Sequence, residues 1–175
     1  MKERLQIRDS VSEDSNAIES LYPKAFPDED LLQLVRGLLQ DPTVTTSVVG
    51  VIDSRVVAHI VFTACGVSGN PARAALLGPL AVAPNWQGKG IGSELVRTGL
   101  RQMENKGTQV ICVLGDPAFY GRLGFLPDPS ISPPYPLPGE YEGAWQSQRL
   151  GTDTASYSGQ LLVPGQWRQR RLWTP

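Results

Sequence analysis

An α/β fold built on a mixed, mostly antiparallel sheet flanked by helices is predicted by three stretches of this sequence. Two β-branched runs, residues 45–52 and 55–63, are separated only by Asp53-Ser54, the spacing of a β-hairpin. Residues 76–93, LLGPLAVAPNWQGKGIGS, read as an apolar strand, a Pro-Asn turn and a glycine-rich loop opening into an amphipathic helix. The nearly all-apolar run 109–114, QVICVL, follows that helix and suits a strand buried on both faces. Strand, loop, helix and strand in this order form a crossover unit, whose two strands should run parallel.

The remaining elements follow in chain order. Residues 5–8 alternate apolar and polar and predict a first strand. Ser12 or Asp14 is placed to cap a helix carrying Ala17, Ile18, Leu21 and Tyr22, which Pro23 should stop. A second helix is predicted from Asp28, its acidic start Asp28-Glu29-Asp30 complementing the helix dipole and Leu31, Leu34, Val35 and Leu38 forming one apolar face. After the hairpin, Gly66, Ser68, Gly69, Asn70 and Pro71 suggest a loop before a strand over residues 74–82. Ile91, Leu95, Leu100 and Met103 form the stripe of the crossover helix, closed by Gly107. A short helix is expected at 117–123, then a proline-rich surface arm and short strands near 144–150 and 157–163. In the tail, Arg168, Arg170 and Arg171 interleave with Trp167 and Trp173, which reads as a solvated end with an aromatic docked into the core.

Length and composition narrow the function classes. The 175 residues suffice for one sizeable core, so a single domain is expected over 1–175, with a core at 5–126, the arm at 127–143 and C-terminal strands at 144–175. A net charge of −1 argues against a nucleic-acid partner or an anionic membrane surface. No apolar window approaches the ~18 residues of a membrane span, and the first ten residues lack the apolar segment of a secretory signal, so a cytoplasmic protein is expected. Cys65 and Cys112 lie in apolar runs without metal-ligand spacing and read as small core residues, so no metal is expected.

The loop Gln87-Gly88-Lys89-Gly90-Ile91-Gly92-Ser93 is the chemical centre of the sequence. Glycines at 88, 90 and 92 remove Cβ atoms that would block a phosphate from the backbone, and the N–H groups of 88–93 then face an anion at the positive end of a helix dipole. A P-loop is absent because Gly90, not Ser or Thr, follows Lys89. The GxGxG spacing and the antiparallel strands before it disfavour a dinucleotide fingerprint, and a ligand-free turn would not need alternating glycines beside Gln87 and Lys89.

The run from Gln87 to Gly92 resembles the acyl-CoA motif (Q/R)xxGx(G/A) of the GCN5-related N-acetyltransferase (GNAT) superfamily. Leu80-Ala81-Val82-Ala83-Pro84 resembles that family's fourth strand, and Tyr120-Gly121-Arg122-Leu123-Gly124-Phe125 matches its Yx₃GF ending. The close resemblance covers about residues 76–126 and is nearest to the YhbS-like bacterial branch. It implies a sheet splayed between the fourth and fifth strands, with acetyl-CoA as the acyl donor.

By the same resemblance, Leu80, Ala81 and Val82 would border the pantetheine arm, and the Val82 N–H would polarise the thioester carbonyl. Gln87, Gly88, Lys89, Gly90, Ile91, Gly92 and Ser93 would hold the pyrophosphate, with Arg97 or Arg122 near the remaining phosphate. Tyr120 is the expected general acid for the departing thiolate. Asp116 is expected near the acceptor or cofactor, or as a loop anchor. The strand before Pro79 offers no carboxylate for a general base, which leaves His59 or Asp28-Glu29-Asp30 as candidates. The expected activity is acetyl transfer to a small-molecule or protein amine, by a monomer or homodimer. A non-catalytic acyl-CoA sensor is the alternative, and a nucleotide-binding or protein-interaction module a further one.

Overall fold

The computed structural model describes residues 4–152 and 156–174. Its elements are β1 (Gln6–Asp9), α1 (Ser15–Ala25), α2 (Leu32–Leu39), β2 (Thr45–Ile52), β3 (Arg55–Val67), β4 (Asn70–Val82), α3 (Ile91–Asn105), β5 (Val110–Leu114), α4 (Pro117–Gly121), β6 (Leu126–Pro127), β7 (Ile131–Ser132), β8 (Trp145–Arg149) and β9 (Gly159–Leu162). The sheet order is β1-β2-β3-β4-β5-β8-β6, with β9 pairing β3 and β7. The sheet is mixed and mostly antiparallel; β4–β5 and β7–β9 are parallel. The chain divides into two compact units, Met1–Phe62 with Gly78–Arg101 and Thr63–Leu77 with Gln102–Pro175.

In the first unit, β1 pairs antiparallel with β2, from Gln6 opposite Val51 to Asp9 opposite Val48. The β2–β3 turn is as tight as two residues allow. Asp53 and Ser54 have φ of 48° and 63°, the left-handed pair that matches the twist of a hairpin. Ile18, Leu21 and Tyr22 of α1, Val35 of α2, Val49 and Val51 of β2 and Ala81 of β4 form one buried cluster. Ile91, Leu95 and Val96 are the buried stripe of α3.

In the second unit, Ala74–Leu77 of β4 run parallel to Val110–Val113 of β5. The recorded pairing stops there, while β4 itself continues to Val82. On its other edge β5 pairs antiparallel with β8, and β6 closes that side. Trp145, Trp167 and Trp173 form an aromatic core, with ring centroids 5.8 and 5.9 Å from that of Trp173. Each indole N–H has a partner: Trp145 donates to Ile131 O, Trp167 to Thr63 Oγ1 and Trp173 to Trp167 O.

Four expectations need correction. Pro23 lies inside α1 instead of ending it; the helix runs to Ala25 because Pro sacrifices only one late hydrogen bond there, and Phe26 leaves helical geometry with φ −130°. Asp28-Glu29-Asp30 precede α2, which starts at Leu32; Pro27 and the turn closed by Glu29 N donating to Phe26 O hold them outside the helix. The predicted loop 66–71 shrinks to a turn at Ser68-Gly69, with β3 and β4 extending to either side and Gly69 at φ 69°. The proline-rich arm is docked, not merely exposed. Ile131 is buried and bonded through its carbonyl to Trp145, and β7 adds to β9.

Candidate active site

The first unit contains the glycine loop. A 3₁₀ turn, Pro84–Trp86, delivers the chain from β4 to Gln87. Gly88 and Gly90 have φ of 73° and 82°, and a Cβ built at either meets nothing within 4 Å. Packing therefore does not demand glycine at these points; the left-handed backbone does. That conformation leaves the N–H groups of residues 88–93 without an acceptor among the described residues, the first helical bond being Glu94 N to Gly90 O at 3.1 Å. They stand at the N-terminus of a 15-residue helix, where dipole and donors together favour an anion. Buried Ile91 anchors the helix start, Gly92 and Ser93 are half-buried, and Lys89 is exposed.

Two side chains of this loop are engaged locally. Gln87 Nε2 donates to Val82 O at 2.9 Å, tying the loop back to the end of β4. Lys89 Nζ lies 4.8 Å from the Trp86 ring centroid, a cation–π contact that leaves its charge at the loop surface. Ala83 N donates to Val57 O on β3 at 2.8 Å. Strand alternation therefore turns the Val82 N–H toward the edge of β4 away from β3. Leu80 and Val82 are half-buried there, while Ala81 points into the core. Arg97 pairs with Glu94 along the surface of α3.

The second unit contains Asp116 and Tyr120. Asp116 is the N-cap of α4, its Oδ1 accepting the Ala118 N–H at 2.9 Å, with Pro117 at the first helical position. The carboxylate therefore holds the loop. Tyr120 is 8 % exposed, and its ring meets Phe119 and Phe125 edge-on. Burial raises its phenol well above the ordinary value, so it remains protonated at working pH. Arg122 lies exposed at the end of α4.

His59 is fully buried and satisfied at both ring nitrogens. Hydrogen bonds link Nδ1 to Tyr22 Oη at 2.6 Å and Nε2 to Ser47 Oγ at 2.8 Å, and Ser47 in turn accepts from Ser10 Oγ. Burial lowers the His59 pKa to about 3, so it is a neutral bridge between α1 and β2. Asp28, Glu29 and Asp30 line a pocket of about 340 Å³ between α1 and α2, whose apolar walls include Phe26, Leu31 and Leu32. Cys112 is buried and Cys65 half-buried; burial pushes the Cys65 thiol up to about 12, making it inert.

Sequence reasoning missed Gly115 and Gln146. Gly115 supplies the floor under the Tyr120 ring. Gln146 is 1 % exposed although WQSQR reads as a strand with polar faces. Neither residue type carries a spacing signal that would have marked it.

The chain belongs to the acetyltransferase (GNAT) family, whose sequence profile matches residues 11–125. It is similar to the uncharacterized N-acetyltransferase YjhQ of Escherichia coli (strain K12), with 32% identity over 155 residues, 85% of this chain and 86% of that protein. It is also similar to the uncharacterized N-acetyltransferase YhbS of the same strain, 31% identical over 120 residues, 68% of this chain and 72% of that one. The crystal structure of Escherichia coli YhbS in complex with CoA superposes with a TM-score of 0.88 at 27% identity, over 97% of this chain and 94% of that one. A GNAT acetyltransferase from Brucella melitensis, in complex with acetyl-CoA, superposes with a TM-score of 0.75 at 26% identity, over 94% and 99% of the two chains.

Proposed function

We propose that this protein transfers an acetyl group from acetyl-CoA directly to an amine acceptor within a ternary complex. The observation that carries this reading is the row of unpartnered N–H groups at residues 88–93, opened by the left-handed Gly88 and Gly90. A pyrophosphate supplies the acceptors those donors lack. The CoA and acetyl-CoA in the two similar structures are molecules of that chemistry.

Each remaining group has a task in the proposed reaction. The amine lone pair attacks the thioester carbon, a C–N bond forms, and the C–S bond breaks. The Val82 N–H donates to the developing oxyanion, a contribution of ~2.7–4 kcal/mol where such donors have been removed. The Tyr120 phenol gives its proton to the departing thiolate. Gln87 acts by holding Val82 O and the loop in register. The pocket carrying Asp28, Glu29 and Asp30 receives the amine, its carboxylates attracting a cation and its apolar walls covering the adjoining carbon chain. Because β4 (NPARAALLGPLAV) has no carboxylate and His59 is already bonded on both sides, those pocket acids are the groups available to take the amine proton.

The test is free-thiol release from acetyl-CoA across a panel of amines. Thiol release that depends on one class of amine, with Tyr120→Phe reducing kcat about 10²–10⁴-fold and leaving acetyl-CoA affinity intact, is the expected result. Acetyl-CoA binding without thiol release for any amine would favour the sensor reading.

A further inference from the structure

Gln146 of β8 holds the turn on which Tyr120 rests. Its Nε2 donates to Gly115 O at 3.2 Å and to Ala144 O at 3.4 Å. Ala144 O also accepts the Gly115 N–H at 2.9 Å, so the junction of β5 and α4 is closed by hydrogen bonds on both sides of Gly115. Because both partners of Gln146 are carbonyls, only the NH₂ end of the amide can face them. Its Oε1 is consequently turned the other way, buried and without a partner among the described residues.

An unpartnered buried amide oxygen destabilises the fold, because its lost hydration is not replaced. An apolar side chain of the same length would avoid that penalty and still fill the space. What only the amide supplies is a pair of N–H donors, one to Gly115 O and one to Ala144 O, the carbonyl that accepts the Gly115 N–H. Gly115 is the residue whose missing Cβ makes room for the Tyr120 ring. Tyr120 Oη has no hydrogen bond among the described residues, so the phenol is placed through its ring, which rests against Gly115, Phe119 and Phe125.

We propose that Gln146 is a positioning residue for acyl transfer, its amide pinning Gly115 and so setting the position of the Tyr120 phenol. The proposal rests on the reading of Tyr120 as proton donor. An error of ~1 Å in such a group can slow a reaction about 10²-fold, so loss of the clamp should appear in turnover while the buried orphan oxygen disappears with it.

The experiment uses Gln146→Met, which keeps length and packing but removes both donors and the orphan oxygen, with Gln146→Leu as a second variant. With acetyl-CoA and an accepted amine, kcat should fall about tenfold or more, while acetyl-CoA affinity stays within about twofold and Tm is equal to or above that of the parent. A merely structural residue would lower Tm and kcat together, and that outcome overturns the proposal. The Tyr120→Phe/Gln146→Met pair should turn over no more slowly than Tyr120→Phe alone, because the clamp has nothing left to position; independent, multiplying losses contradict it. If Tyr120→Phe retains full turnover, the proton-donor reading itself fails. If Tyr120→Phe is impaired and both Gln146 variants are not, only the positioning role fails.

Discussion

The ring of Tyr120 lies on the Cα of Gly115, so close that a Cβ built on Gly115 would fall 2.8 Å from Tyr120 Cδ2 and nearer still to Cε2. A flat ring fixed between Phe119 and Phe125 cannot yield as a flexible side chain would. Gly115→Ala should therefore displace the phenol and overpack the site, at a stability cost of about 1–3 kcal/mol. Turnover should drop more than acetyl-CoA affinity does. Equal kcat in the variant and the parent would show that the ring's seat is irrelevant to the chemistry.

Gly90 makes the opposite case, with space for a Cβ but a backbone that disfavours one. Its φ of 82° means that Gly90→Ala strains the loop by ~1–2 kcal/mol. Relief of that strain rotates the N–H groups away from a common focus. Calorimetric titration should show acetyl-CoA affinity reduced about tenfold or more, with kcat at saturating donor nearly preserved. Unchanged affinity would separate the loop from the donor site.

Asp116→Ala separates a cap from a ligand contact. Loss of the bond to the Ala118 N–H should lower stability by ~1 kcal/mol, the ordinary cost of an N-cap, and Asp116→Asn should restore most of it. Acetyl-CoA affinity should be unaffected by either change. A large loss of affinity in Asp116→Asn, at unchanged Tm, would make the carboxylate a binding group instead.

His59 predicts a pH dependence of stability. Its folded pKa of about 3 lies below the ordinary 6.5, so between these values the unfolded chain binds a proton that the folded protein excludes. Stability is therefore complete above about pH 6.5 and falls as pH drops toward 3, by at most ~1.4 kcal/mol per pH unit. Asp14, held below the usual carboxylate range by its bond to Arg8, adds a loss at more acid pH as it becomes protonated. Urea unfolding at stepped pH should show this decline, and His59→Gln should flatten the limb between pH 6.5 and 4. An equally steep limb in His59→Gln would assign the decline to other groups.

The parts of the fold carried by periodicity were legible before the structure. The β2–β3 hairpin, the α3 stripe of Ile91 and Leu95 and the parallel partner strand β5 all fell where alternation and helical spacing put them. An aromatic docked into the core was also expected of the tail, where Trp167 and Trp173 are both buried. What was not legible depends on contacts distant in sequence. The acids at 28–30 look like a helix start, yet they line a pocket because α2 takes its apolar face from Leu32 onward. Prolines at 133, 134 and 136 suggest a solvated arm, and nothing local announces that Ile131 is pinned by Trp145. His59 is settled by Tyr22 and Ser47, which lie 37 and 12 residues away. Gln146 reads as a surface residue until its two carbonyl partners are known.

Acetyl-CoA is the molecule proposed to be held by the N–H groups of residues 88–93. Titration of the protein with acetyl-CoA, CoA, NAD and ATP, followed by calorimetry, tests this most directly. The predicted result is one-to-one binding of acetyl-CoA and CoA that is weakened by Gly90→Ala, with no measurable heat for NAD or ATP. Binding of NAD or ATP in their place, or acetyl-CoA binding indifferent to Gly90, would contradict it.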